Sequence, residues 1–244
     1  MTAVASAERA EVRWSFIDLK SWALEAVADS PAGDPFIAGR RAVHLGDGPV
    51  TAGALRLWPG QGQVAGQPAD EFLHVAAGSL ALEVGSHLFE LEAGQSIAIP
   101  PGAPFGWRCS QPTVLIYVRH LATATASPIP CAMDPTTDRQ PSGPPLAELL
   151  TTPTPRCRNH TQYASADGAF VCGVWDSTPY ARKAMSYGHH ELMHLLEGDV
   201  TLTDDQGETA TFTAGDVLLV RRGARCSWLS ERDVTKVFAI YRPG

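Results

Sequence analysis

The chain has 244 residues, enough for one large or two small domains, and a hydrophobic content of 44% is sufficient for a packed core. A formal net charge of −7, with no Lys/Arg cluster beyond Arg40-Arg41 and Arg221-Arg222, excludes nucleic acid as an expected partner, and no apolar run approaches membrane-spanning length. Five cysteines, an odd number without a C-x-x-C, argue against a disulfide framework and for a reducing cytoplasm, and MTAVASAERAEVRWSF at the start lacks the basic-then-apolar pattern of a secretion signal.

In chain order, residues 1–35 read as an N-terminal arm. Its helical stretch is DLKSWALEAVA (18–28), where Leu19, Trp22, Ala23 and Val27 keep helical spacing and Asp18 is placed to cap it. Residues 36–121 read as a run of short strands, with the 22 Gly and 19 Pro of the chain supplying the turns that an all-β fold needs. Residues 122–155 are rich in Pro, Thr and Ser and read as a linker, within which LAELL (146–150) predicts a strand or a short helix. Residues 156–244 return to strand-sized segments. Among them DVTLTDDQGETATF (199–212) predicts a hairpin turning at Gly207.

The stretch GHHELMHLLEG (188–198) contains H-E-x-x-H, the zinc-protease pattern. That chemistry needs both histidines on one face of a helix of several turns. Here Gly188 and Gly198 bracket the motif and everything downstream is strand-sized, so the same residues are expected in a strand. Alternation then sends Glu191, Met193 and Leu195 one way, and His190, Leu192 and His194 the other. His189 shares parity with Glu191.

The chain repeats itself. DEFLHVAAG (70–78) matches HELMHLLEG (190–198), GQSIAIPPG (94–102) matches GDVLLVRRG (215–223), and Trp107 and Trp228 follow at the same distance. LRLW (55–58) parallels CGVW (172–175). An offset near 120 residues signals a duplicated domain rather than a solenoid unit.

These residues resemble the cupin superfamily, whose first motif ends in E-x6-G and whose second begins G-x5-P-x-G. Glu71 and Gly78, and Glu191 and Gly198, match the first. Gly94, Pro100 and Gly102 match the second, as do Gly215 and Gly223, with Arg221 in place of proline. GVWDSTP (173–179), ELMHLLEGDVTLTD (191–204), GDVLLVRRG (215–223) and CSW (226–228) are similar to the branch of ethanolamine-utilisation cupins and (S)-ureidoglycine aminohydrolases. The resemblance implies an all-β fold of two tandem jelly-roll barrels, the first over 36–121 and the second over 156–244.

The family's metal site uses three histidines and one glutamate, and here the H-x-H is missing and the second-motif histidine is Phe105 or Cys226. The first barrel keeps Glu71 alone and is expected to be vestigial. In the second, His189, His190, Glu191 and Cys226 are the candidate ligands of one divalent transition metal (Zn, Mn, Ni or Fe). Tyr187, Glu191, Met193, Cys226 and Trp228, with Glu71 in the first barrel, are the candidate pocket residues. His74 and His194 are expected to pack between sheets or domains. Two functions follow from the resemblance: metal-assisted hydrolysis or isomerisation of a small polar metabolite, or non-catalytic binding of one. The expected assembly is a monomer or homodimer, because the halves can cover each other.

Overall fold

The structure is a computed structural model that describes residues 14–25, 33–121 and 129–243. Each half folds into a barrel made of a large and a small antiparallel sheet. In the first half the large sheet carries strands Val50–Leu57, Thr113–Leu121, Ala69–Ala77 and Ser96–Ile99, and the small one Gly60–Val64, Phe105–Cys109, Ser79–Val84 and His87–Glu92. In the second half Phe170–Ser177, Val234–Tyr241, His190–Glu197 and Val217–Val220 form the equivalent large sheet, extended by Cys157–Ala164. HELMH lies inside the strand His190–Glu197, so the zinc-protease geometry is absent there. The predicted hairpin is present, pairing Asp199–Thr203 with Thr209–Thr213.

The large sheets are buried on both faces, which is why their strands read as nearly continuous apolar runs. Along Ala69–Ala77, Leu73 and Val75 enter the first barrel, while Phe72 and Ala76 face the other half. Along Val234–Tyr241, Val234 enters the second barrel, while Val237, Ala239 and Tyr241 face the first. The two outward faces share one core, centred on Phe72, Ile116, Phe170, Val174, Leu192 and Leu219. His74 and His194, equivalent in the repeat, meet there with ring centroids 4.4 Å apart. Equivalent residues touching each other mark a pseudo-two-fold relation between the barrels.

The segments outside the repeats exchange partners across that relation. Phe16–Asp18, in the arm, pairs with Val217–Val220 of the second barrel. Cys131–Ala132, in the linker, pairs with the equivalent strand Ser96–Ile99 of the first. Each covers an edge that would otherwise expose unpaired backbone groups. The predicted helix appears as Leu19–Glu25, capped by Asp18, whose carboxylate accepts from the Ser21 amide at 2.8 Å. Leu19 and Ala23 are its buried face, and Val27 lies outside the described residues. Within LAELL a single 3-10 turn forms at Ala147–Leu149. Gly78 and Gly198, the glycines that end E-x6-G, both hold positive φ (83° and 80°). A Cβ on Gly198 would stand 2.2 Å from the Asp233 carbonyl oxygen.

Candidate functional site

In the second barrel the inward side chains of the large sheet converge on one acid–base group. Glu191 comes from His190–Glu197 and Lys236 from the neighbouring Val234–Tyr241. Lys236 Nζ donates to Glu191 Oε1 at 2.8 Å, and His189 Nε2 lies 3.2 Å from Glu191 Oε2. The ammonium also lies 3.2 Å from Met193 Sδ, 4.6 Å from the Trp175 ring centre and 5.4 Å from that of Trp228. Burial alone would raise the Glu191 carboxyl, but the Lys236 ammonium and His189 overcome it and hold the group well below the usual carboxylate range. Glu191 is therefore an ionised, paired carboxylate inside the barrel.

A cavity of about 410 Å³ opens onto this group. Its polar floor is Glu191, Lys236, His189, Arg182 and Tyr187, and its walls include Val171, Trp175, Phe238 and Ile240. Tyr180 and Trp228 stack with ring centres 5.5 Å apart along one side. The linker residues 142–145 form part of the rim.

The first barrel is filled instead. Phe36, on the turn Pro35–Ala38, inserts between Phe105 (ring centres 5.1 Å apart) and Trp107 (6.3 Å). Leu55, Leu73, Leu82 and Leu115 complete a continuous apolar interior. Glu71 sits beside it under Arg40, whose Nη1 and Nη2 donate at 2.5 and 3.1 Å, with Arg119 Nε 3.6 Å away.

A cupin-domain family model matches residues 53–119 and an EutQ-like cupin-domain model matches residues 164–238. The chain is a bicupin. A protein of unknown function of the DUF861 family, from Pseudomonas syringae pv. tomato str. DC3000, is similar to it at 29% identity and TM-score 0.80, over 88% of this chain and 92% of that one. Protein YlbA from E. coli, also DUF861, shares 12% identity at TM-score 0.57, over 96% and 94%. A salicylate 1,2-dioxygenase from Pseudaminobacter salicylatoxidans shares 13% at 0.52, over 83% and 76%. The last two show the fold alone. No curated protein matches the sequence. No helix among the described residues is long and apolar enough to cross a membrane.

The metal site expected of a cupin does not fit this bicupin's donors. Among the described residues no three His, Cys, Asp or Glu side chains come close enough to hold an ion. Of the four expected ligands, only His189 and Glu191 meet. Strand parity turns His190 out of the barrel, where its ring stacks near Tyr241 and its Nδ1 accepts from the Arg222 amide at 3.1 Å. Cys226 is fully buried among the apolar residues of the second barrel, and burial pushes its thiol up to about 11. The positive charge beside Glu191 is already supplied, by Lys236.

Of the expected pocket residues, Tyr187, Glu191 and Trp228 line the cavity. Met193 lies behind Lys236, Cys226 is in the packed interior, and Glu71 faces the filled barrel. Lys236, Arg182, Trp175 and Tyr180 were not anticipated. Lys236 had a legible signal: it is the one charge in VTKVFAIY (234–241), on the parity of Phe238 and Ile240.

Proposed function

We propose that this bicupin binds a small polar metabolite in its second barrel, and that Lys236, Glu191 and His189 hold it without a resident metal. The observation that carries the reading is the contrast between barrels: one is plugged by Phe36, and the other keeps a lined cavity over a buried ion pair. A lumen of about 410 Å³ suits a small ligand, and apolar walls with a few convergent polar groups are the usual composition of such a site. Metal-assisted hydrolysis, implied by the resemblance to ureidoglycine aminohydrolases, has too few donors here, so the binding reading is favoured. A thermal-shift screen of small polar metabolites, run with and without a chelator, tests it. Stabilising compounds are expected to act equally in both conditions, to lose their effect in Val171→Trp, whose bulk fills the lumen, and to keep it in Glu71→Gln. Dependence on metal, or loss only in Glu71→Gln, overturns the reading.

A further inference from the structure

Arg182 is the group that the binding reading leaves unexplained. It is 6% exposed and borders the cavity. Its Nη1 donates to the carbonyl oxygens of Cys226 (2.7 Å) and Lys183 (3.3 Å), and its Nη2 donates to the Tyr187 hydroxyl (2.9 Å). Every one of these acceptors is neutral. Among the described residues no carboxylate lies within ion-pair distance of Arg182, and Glu191 is committed to Lys236 and His189. A guanidinium taken out of water without a counter-charge is costly, and proteins ordinarily pair it.

The hydrogen-bond inventory shows what is free. A guanidinium has five N–H groups. Three are used, which leaves Nε–H and one Nη2–H without a partner. That is enough for a two-point contact with a carboxylate, the geometry in which arginine recognises acids best. Tyr187 adds a second donor: burial raises its phenol above the ordinary value, so the hydroxyl keeps its proton while accepting from Arg182. The charge in the lumen points the same way. Arg182 and Lys236 line the cavity, with Arg242 exposed at its edge, and Glu191 is the one carboxylate among the lining residues. The cavity walls include apolar and aromatic residues of the large sheet, Trp175, Phe238 and Ile240.

We infer that Arg182 is a carboxylate anchor, and that the ligand of the second barrel is a small organic acid whose apolar body lies on the Trp175–Phe238 wall. This rests on the second-barrel reading and deepens it. It is tested by calorimetric titration at pH 7, in chelator, with propionate and benzoate, each against its neutral amide. At least one acid is expected to bind at least tenfold tighter than its amide. Arg182→Gln removes that preference. Arg182→Lys keeps the charge but loses the two-point edge, and is expected to cost the acid at least threefold while leaving the amide unchanged. Amides binding as well as acids, neither acid binding, or a preference that survives both substitutions overturns the inference. Val171→Trp, which blocks the lumen, separates the two levels. Equal binding of acid and amide that Val171→Trp abolishes leaves the pocket standing and removes only the anion assignment. Binding that survives Val171→Trp removes the second-barrel reading itself.

Discussion

The Lys236–Glu191 pair should show itself as a large coupling between two substitutions. Both residues are 6% exposed and their charged atoms are 2.8 Å apart. Removing one partner of a buried pair leaves the other as an uncompensated charge, typically a loss of about 3–5 kcal/mol. Lys236→Met strips Glu191 of its ammonium, and Glu191→Gln leaves the ammonium facing a neutral amide. The pair borders an open cavity rather than a packed interior, so the low end applies, about 3 kcal/mol for each variant. The double variant removes both charges of the pair, and Met fills much of the lysine's apolar volume. It should lie within about 2 kcal/mol of the parent, where additivity would place it near 6. Urea unfolding at pH 7.5 measures all four proteins, with an unchanged m-value confirming that the denatured states match. If each single variant costs less than about 1 kcal/mol, or if the double equals the sum of the singles, the pair is not the buried, mutually dependent unit described above.

Three further outcomes follow from the same structure. His74, His190 and His194 are buried and held neutral, the last two with values lowered to about 4, mainly by burial and then by nearby cations or histidines. Their folded values lie below the unfolded one near 6.5, so unfolding takes up protons and stability falls as pH drops from about 6.5 towards 4. Unfolding free energies from urea titrations at pH 7.5 and 5 should differ by several kcal/mol, and His194→Phe should reduce the difference while His74 and His190 retain the rest. Phe36→Ala should cost about 3–5 kcal/mol by opening the first barrel, read as a lower unfolding midpoint, while leaving second-barrel ligand binding unchanged. Gly198→Ala combines a left-handed φ with a Cβ 2.2 Å from the Asp233 carbonyl oxygen, and should cost more than the ~1 kcal/mol of an ordinary strained turn. A thermal midpoint equal to the parent's would show that the turn can relax.

The repeat made the fold legible before any coordinates. E-x6-G recurs because each barrel needs a buried carboxylate facing inward and, seven residues on, a glycine where the strand turns against the neighbouring chain. Parity separated Glu191 from His190 and His194, and placed His74 and His194 outside the barrels. The four-donor expectation weighed Cys226 and His190 by residue type and proximity in sequence, and the structure brings neither to Glu191. Burial had already made one a core side chain, and parity had aimed the other at Tyr241. Lys236 and Arg182 escaped notice because each meets the site from a different strand, 45 and 9 residues from Glu191 along the chain. Nothing local to Glu191 announces which distant cation will neutralise it.

The two barrels meet the same requirement with different parts, and one short segment decides the consequence. A carboxylate at position 71 or 191 must be paired wherever it is buried. In the first barrel the residues entering strand Arg41–Val43 supply both the plug and the counter-ion: Phe36 fills the interior and Arg40, four residues later, closes over Glu71. Plug and cation arrive together, and the interior beside Glu71 is packed with apolar side chains. In the second barrel the segment leading to strand Cys157–Ala164 borders the rim through residues 142–145 and packs Leu150 against the apolar core. Neutralisation there falls to Lys236, from within the barrel wall, whose side chain occupies a fraction of the lumen. An internal cation leaves the interior open where an external one brings a plug with it. The open barrel also holds Arg182, a second buried cation with no carboxylate within ion-pair distance among the described residues.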